Sequence, residues 1–175
     1  MKFLKNYFKE IGIGLMIGLI LIILLQKLFL IATIPSESME TTLLVGDKVY
    51  IKTNYKNIER GKIYTFVNDN SYMIKRCIGI PGDHIKVIND DVYLNGEKLE
   101  ESYVSSKNKE DKIINMDFIV PEGKLFFLGD NRRVSNDARY WDNTFIDEDD
   151  VIGLATRVIY PFNRAGSLYK EEGEN

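Results

Sequence analysis

The chain has 175 residues, a net charge of −3, and a single cysteine and a single histidine, Cys77 and His84. One cysteine excludes an internal disulfide, and with one histidine it leaves no Cys/His set for a zinc site, so neither metal nor cofactor is expected. Lys2, Lys5, Lys9 and Lys27 against Glu10 give the first 33 residues +3 and leave −6 for the rest, without the clustered Lys and Arg that a nucleic-acid partner requires.

From Ile11 to Leu25 the sequence holds only Ile, Leu, Met and Gly, and apolar character resumes from Leu28 to Ile34 after Gln26-Lys27. About 20 such residues cross the hydrocarbon core, so residues 1–33 are predicted to be a short tail and a single transmembrane helix. Lysines at 2, 5 and 9 keep the N-terminus in the cytoplasm and put the remainder of the chain outside, anchored to the cell membrane by one pass. The lipid bilayer is therefore an expected partner. A cleavable secretory signal would end in an Ala-x-Ala type of site, and Ala32-Thr33-Ile34-Pro35 offers none.

Directly after this segment comes Ile34-Pro35-Ser36-Glu37-Ser38-Met39-Glu40-Thr41-Thr42-Leu43-Leu44, which sets two hydroxyls at the membrane surface. Only Pro35, Ser36 and Glu37 separate Ser38 from Ile34, a reach of about 10 to 14 Å at most. A serine is a poor nucleophile unless a base is brought to it, and a serine just past a helix end is more often a cap.

Residues 34–165 are predicted to form one β-rich domain, because short runs of Val, Ile, Tyr, Phe and Thr alternate with turn residues. Candidate strands are Lys48–Thr53, Lys62–Val67, Tyr72–Gly79, His84–Ile88, Val92–Leu94, Ile113–Val120, Lys124–Leu128 and Ile152–Tyr160. Asp69-Asn70-Ser71, Pro81-Gly82-Asp83, Asn89-Asp90-Asp91 and Asn95-Gly96 supply turns between them. Glu100 to Lys112 is polar and is predicted to be a mobile surface loop. Residues 166–175 are predicted to be a polar acidic tail whose end, Lys170 to Asn175, frays. Asp147-Glu148-Asp149-Asp150 lacks the glycine and spacing of a calcium loop and is predicted to be a solvated turn or helix start.

The candidate base is Lys75. If Tyr72–Gly79 is a strand, alternation puts Met73, Lys75 and Cys77 on one face. Two apolar neighbours on that face desolvate the amine partly, which disfavours the ammonium and lowers its pKa. At a reference pKa of about 10.4, only about one lysine in a few thousand is neutral at pH 7, so such a shift is what a lysine base requires. Taken alone, Lys75 reads as readily as a strand lysine whose stem packs and whose head reaches water.

A third stretch, Gly129-Asp130-Asn131-Arg132 followed by Ser135-x-Asp137-x-Arg139, changes that balance. With Ser36-x-Ser38-Met39 and with Lys75-Arg76 leading into Gly79-x-Pro81-Gly82-Asp83, it resembles in order and spacing the bacterial type I signal peptidases, in their short form. The resemblance runs from the anchor to about Tyr160. It implies a mostly β fold, in which a single N-terminal transmembrane helix is followed by a coiled, mainly antiparallel β-sheet catalytic domain. It implies a serine endopeptidase that removes N-terminal signal peptides from exported preproteins. Its partners would be the signal peptides of secreted preproteins, the bilayer and the protein export machinery.

Carried over residue by residue, the resemblance makes Ser38 the nucleophile and Lys75 the general base. Ser36, by its hydroxyl, and Ser38, by its backbone N–H, would form the oxyanion hole. Ser135 would hydrogen-bond and orient the Lys75 amine, and Asp137 with Arg139 would be a structural ion pair. Ile34, Met39, Leu43, Met73 and Ile74 would line shallow pockets for small side chains before the cleaved bond. Two departures stand out: Thr41 occupies the place of the family's usual Pro, and Ala138 that of its usual Ser. Neither removes a catalytic group.

Three other readings use the same residues. A Ser/Lys self-cleaving repressor would carry a DNA-binding module where this chain has an anchor. A cysteine transpeptidase would need Cys77 and His84 to face each other. A non-enzymatic anchored β-module would leave Ser38 and Lys75 incidental.

Overall fold

The computed structural model describes residues 8–20, 30–89, 91–105 and 114–169, and the chain divides at Leu30 into two units. In the first unit residues 8–20 are helical, and among the described residues no helix is long and apolar enough to cross a membrane. The predicted span continues into residues 21–29, which lie outside the described residues. So do residues 106–112 of the predicted loop, Ile113 and the Lys170–Asn175 tail end.

The second unit is mostly β. Leu30–Thr33 (β1), predicted to end the apolar span, is a strand, and the β-branched Ile31 and Thr33 suit an edge position. Then come Lys48–Lys52 (β2), Ile63–Asn68 (β3), Ser71–Gly79 (β4), His84–Ile88 (β5), Asp91–Leu94 (β6), Glu97–Lys98 (β7), Asn115–Ile119 (β8) and Lys124–Leu128 (β9). Ile146–Asp147 (β10), Val151–Tyr160 (β11) and Gly166–Ser167 (β12) complete the set. Each strand predicted from runs of Val, Ile, Tyr, Phe and Thr between turn residues has its counterpart among the described residues. The four not predicted are β1 and the two-residue strands β7, β10 and β12, which are too short to show a period.

The larger sheet has eight strands in the order β1-β2-β11-β3-β4-β9-β10, with β12 on β11. The smaller has four in the order β7-β6-β5-β8, antiparallel throughout. The β3–β4 hairpin fixes where Lys75 stands in the larger sheet. Asp69 and Asn70 both take positive φ (46° and 60°), the conformation a two-residue hairpin turn demands and one that Asn and Asp tolerate. That turn sets the register Tyr64 opposite Lys75 and Ile63 opposite Arg76. On the other side β4 pairs with β9, Arg76 opposite Leu128 and Cys77 opposite Phe127.

Alternation along β4 distributes its side chains between separate cores. Ile74 joins Ile34, Met39, Leu43, Val49 and Ile51 in one cluster, whereas Cys77 packs with Tyr64, Phe66 and Phe127, where Met73 also reaches. Phe66 and Phe127 stack with ring centroids 4.3 Å apart. The third cluster, built on Ile85, Val87, Val92 and Phe126, joins the small sheet to β9.

The described part of the predicted mobile loop is held, and so is the start of the predicted polar tail, before the Lys170–Asn175 stretch expected to fray. In the predicted loop, the Tyr103 hydroxyl donates to Glu101 Oε1 (2.7 Å) and Glu101 pairs with Arg132. In the predicted tail, the Tyr169 hydroxyl donates to the Ala155 carbonyl (2.7 Å) and accepts from the Ile63 N–H (2.8 Å). Both are only half-buried, and their polar groups are fastened by hydrogen bonds.

Candidate active site

Ser38 sits in a single 3-10 turn, Glu37–Met39, entered from an extended Ser36. The segment around it closes on itself. The Ile34 N–H donates to the Asp47 carbonyl (2.9 Å), the Gly46 N–H to the Ile34 carbonyl (2.9 Å) and the Leu43 N–H to the Met39 carbonyl (2.9 Å). Arg164 Nη2 donates to the Asp47 carboxylate (2.9 Å), which also accepts from the Leu44 N–H. The apolar side chains of Ile34, Met39 and Leu43 face the core, so the turn carrying Ser38 is fastened from beneath.

Lys75 reaches this turn from β4. It is 4% exposed, and its Nζ donates to Ser38 Oγ at 2.7 Å. Ser36 Oγ lies 3.3 Å from Ser38 Oγ. Burial pushes the amine down from 10.5 to about 8, while the carboxylates of Asp137 and Asp130 pull the other way. With a neutral amine the same contact runs in reverse, the serine hydroxyl donating to nitrogen. That is the arrangement from which a base takes a nucleophile's proton.

Each of those carboxylates is offset by an arginine. Asp130 accepts from Arg76 Nε (2.8 Å) and Nη2 (2.6 Å), and from the Thr42 hydroxyl. Asp137 accepts from Arg139 Nε (2.8 Å) and Nη2 (3.0 Å), with both side chains fully buried. An exposed pair is worth about 0 to 1 kcal/mol, whereas losing one partner of a buried pair costs about 3 to 5 kcal/mol. The Asp137–Arg139 pair belongs to the second kind.

The segment after β9 joins these parts, and most of its contribution is through backbone. The Asn131 N–H donates to the Ser38 carbonyl (3.0 Å), and the Gly129 N–H donates to Asp137 Oδ2 (2.9 Å). A Cβ on Gly129 would stand 2.6 Å from the Ser38 carbonyl oxygen and closer still to the Ser135 hydroxyl. Gly129, Asn131 and Arg76 were given no role from sequence. Glycine and asparagine directly after an apolar strand were the available signal, but backbone contacts leave no other trace in residue types.

Ser135 differs from expectation. Its side chain is buried, but its hydroxyl has no hydrogen-bond partner among the described residues, so the expected bond to the Lys75 amine is not made. The amine is turned to Ser38 instead. An unsatisfied buried hydroxyl costs about 1 to 3 kcal/mol.

Two clefts meet at Ser38 and Lys75. One, of about 220 Å³, is walled by Ile34, Thr65, Met73 and Ile74. The other, of about 580 Å³, leaves past Val45, Val134 and Asn136. Of the five residues expected to form pockets, Ile34, Met73 and Ile74 line a cleft, whereas Met39 and Leu43 lie fully buried behind its wall. Cys77 is buried in another cluster with its thiol pushed up to about 12 by burial. His84 is exposed and paired with Asp117 at 2.6 Å. The two do not form a thiol–imidazole site.

Residues 4–160 match the family described as "Signal peptidase, peptidase S26". Signal peptidase I of Bacillus amyloliquefaciens is 34% identical over 161 residues, covering 86% of each chain. Signal peptidase IB of Staphylococcus aureus is 36% identical over 150 residues, 75% of this chain and 78% of that one. The crystal structure of a signal peptidase I from Enterococcus faecalis V583 superposes with a TM-score of 0.50 at 32% identity, covering 59% of this chain and 100% of that one.

Gly129→Ala tests the geometry directly. Its methyl group must displace the Ser38 carbonyl or Ser135, so acylation of Ser38 by a serine-directed probe is expected to slow about 100-fold or more while the protein stays folded. Labelling of a folded variant at the wild-type rate would show that the close approach of Gly129 does not hold the site.

Proposed function

The chain belongs to the signal peptidase family, peptidase S26, a family of serine peptidases, and on that premise we propose that it cleaves signal peptides from exported preproteins with Ser38 as nucleophile and Lys75 as base. The observation that carries this reading is the 2.7 Å contact between Lys75 Nζ and Ser38 Oγ, made by an amine that burial brings to about pKa 8. Ser38 Oγ attacks the scissile carbonyl as Lys75 takes its proton. The same proton then goes to the leaving amine of the mature chain, and an acyl-enzyme with the signal peptide remains. Lys75, neutral again, deprotonates a water that attacks the ester and releases Ser38.

The Ser36 hydroxyl and the Ser38 N–H stabilise the oxyanion, two donors whose loss one at a time costs about 10² to 10³ in kcat. The buried Ser135 hydroxyl serves to orient the Lys75 amine during the reaction, through a bond not made in the conformation seen. The Asp137–Arg139 pair holds the segment that carries Ser135. Ile34, Met73 and Ile74 wall the site for small side chains before the cleaved bond, with Met39 and Leu43 backing that wall, and a charged side chain there would be buried unpaired. The segment before Leu30 supplies a cytoplasmic tail and single-pass anchor, and residues 30–169 an extracytoplasmic peptidase domain, since β1 and β12 both belong to its larger sheet. The bilayer and the export machinery then bring the substrate's cleavage site to the enzyme.

Ser38→Ala and Lys75→Ala should each abolish processing of a preprotein in detergent without unfolding the protein, and their losses should not add, because they act as one unit. Near-normal cleavage by folded Lys75→Ala would sink the dyad.

The pH profile is set by the amine. Only neutral Lys75 is competent, so kcat/KM should rise as pH passes through about 8 and fall below it. At pH 7 about one molecule in ten is then neutral, against about one in a few thousand for an unshifted lysine. His84→Ala should keep both rate and profile. An acidic limb that vanishes in His84→Ala would move the base to the histidine.

Orientation is tested on intact spheroplasts. Protease added outside should cut residues beyond Leu44 and spare those before Lys9. Full protection of the β domain would refute the topology.

A further inference from the structure

Glu101 and Tyr103 stand on the segment that leaves the small sheet after β7, and together they cap two arginines beside the site. Glu101 pairs with Arg132, with the guanidinium 1% and the carboxylate 9% exposed. Its Oε1 also accepts the Tyr103 hydroxyl at 2.7 Å. The Tyr103 ring lies over the Arg76 guanidinium, 3.9 Å from Cζ to the ring centroid. Burial, with the Glu101 charge beside it, pushes the Tyr103 phenol well above its ordinary pKa, so the hydroxyl remains a donor.

Both arginines act on the backbone and carboxylate that fix the dyad. Arg132 Nε donates to the Gly129 carbonyl (3.0 Å), and Asn131, directly before Arg132 in the chain, holds the Ser38 carbonyl. Arg76 neighbours Lys75 on β4 and grips Asp130, and its Nη1 donates to the Gly61 carbonyl (2.5 Å). The strap formed by Glu101 and Tyr103 thus reaches the nucleophile's support through Arg132 and the base strand through Arg76. Without Glu101 the Arg132 guanidinium would be left as a buried charge lacking that carboxylate, and it would move toward water, taking the Gly129 carbonyl contact with it.

We infer that Glu101 and Tyr103 are positioning residues for the reaction, acting through Arg132 and Arg76 to hold Ser38 and Lys75 in register. This rests on the peptidase reading of the Ser38–Lys75 pair. Neither residue touches the dyad in the structure, and neither is needed for substrate to enter the clefts at Ser38. Their loss should therefore appear in the chemical step and leave binding alone.

The experiment measures kcat, KM and thermal unfolding on one preprotein-derived peptide with the full chain in detergent. Glu101→Gln keeps an acceptor for Tyr103 and removes the charge facing Arg132. Tyr103→Phe keeps the ring on Arg76 and removes one oxygen. Each should lower kcat about tenfold, with KM within about twofold, at a temperature where the variant is fully folded. The losses in the double variant should fall short of additive, since the Tyr103 hydroxyl acts through the Glu101 carboxylate. Val92→Ala, a cavity in the small-sheet core that removes no polar contact of the strap, should lower Tm and leave kcat unchanged. Should Glu101→Gln fail to fold, Tyr103→Phe alone decides. Unchanged kcat in the folded strap variants, or an equal fall in Val92→Ala, overturns the inference. Ser38→Ala in the same assay separates the two levels: if it is silent while the strap variants are fully active, only the strap fails. If Ser38→Ala is active, the peptidase reading fails and the strap with it.

Discussion

The structure around Lys75 combines two parts, an amine whose pKa burial lowers to about 8 and a position 2.7 Å from the Ser38 hydroxyl. Desolvation alone would satisfy the first part, but two carboxylates close by oppose it. The structure meets this by giving each carboxylate its own arginine. Asp130 is taken up by Arg76 and Asp137 by Arg139. The local charge seen by the amine is thereby reduced, and the carboxylates remain available as acceptors for the Thr42 hydroxyl and the Gly129 N–H.

The second part, proximity, is a matter of backbone. The turn carrying Ser38, the β3–β4 hairpin and the segment after β9 are far apart in sequence. Their meeting point is held by the bond from Asn131 N–H to the Ser38 carbonyl and by the contact that only glycine at 129 permits. An arrangement fixed through main-chain atoms on sheet elements varies less than one fixed by long side chains, which is what a reaction sensitive to ångström displacements requires.

How much of this was legible beforehand depended on which atoms do the work. Alternation in Tyr72–Gly79 correctly put Met73, Lys75 and Cys77 on one face, because half-buried strands impose that period on residue types. The meeting of Ser38 with Lys75 was legible only through the family resemblance, since neither residue alone exceeds a cap or a solvated lysine. The work of Gly129 and Asn131 was not legible, being done by N–H groups and by the lack of a side chain. The segment Glu101–Ser105 read as a mobile loop because its residues are polar, and polarity does not reveal that the partners are supplied by Arg132 and Arg76. Ser135 illustrates the opposite limit. The resemblance named its role, yet the bond that would express it is not made in the conformation seen.

Lys75 and Arg76 are neighbours on β4 and serve opposite faces, one as a cation that can be discharged and the other as a cation that cannot. Which of them meets Ser38 is decided by the odd or even count of residues between the Asp69-Asn70 turn and the centre of the strand. A slip by one would seat a permanently protonated guanidinium against the hydroxyl and leave the acid–base partner facing Asp130, with hydrophobic burial reversed at the same time. On the proposed Ser38–Lys75 chemistry the parity of a hairpin thus selects the proton acceptor, and an ordinary rule of sheet pairing becomes a condition on reactivity.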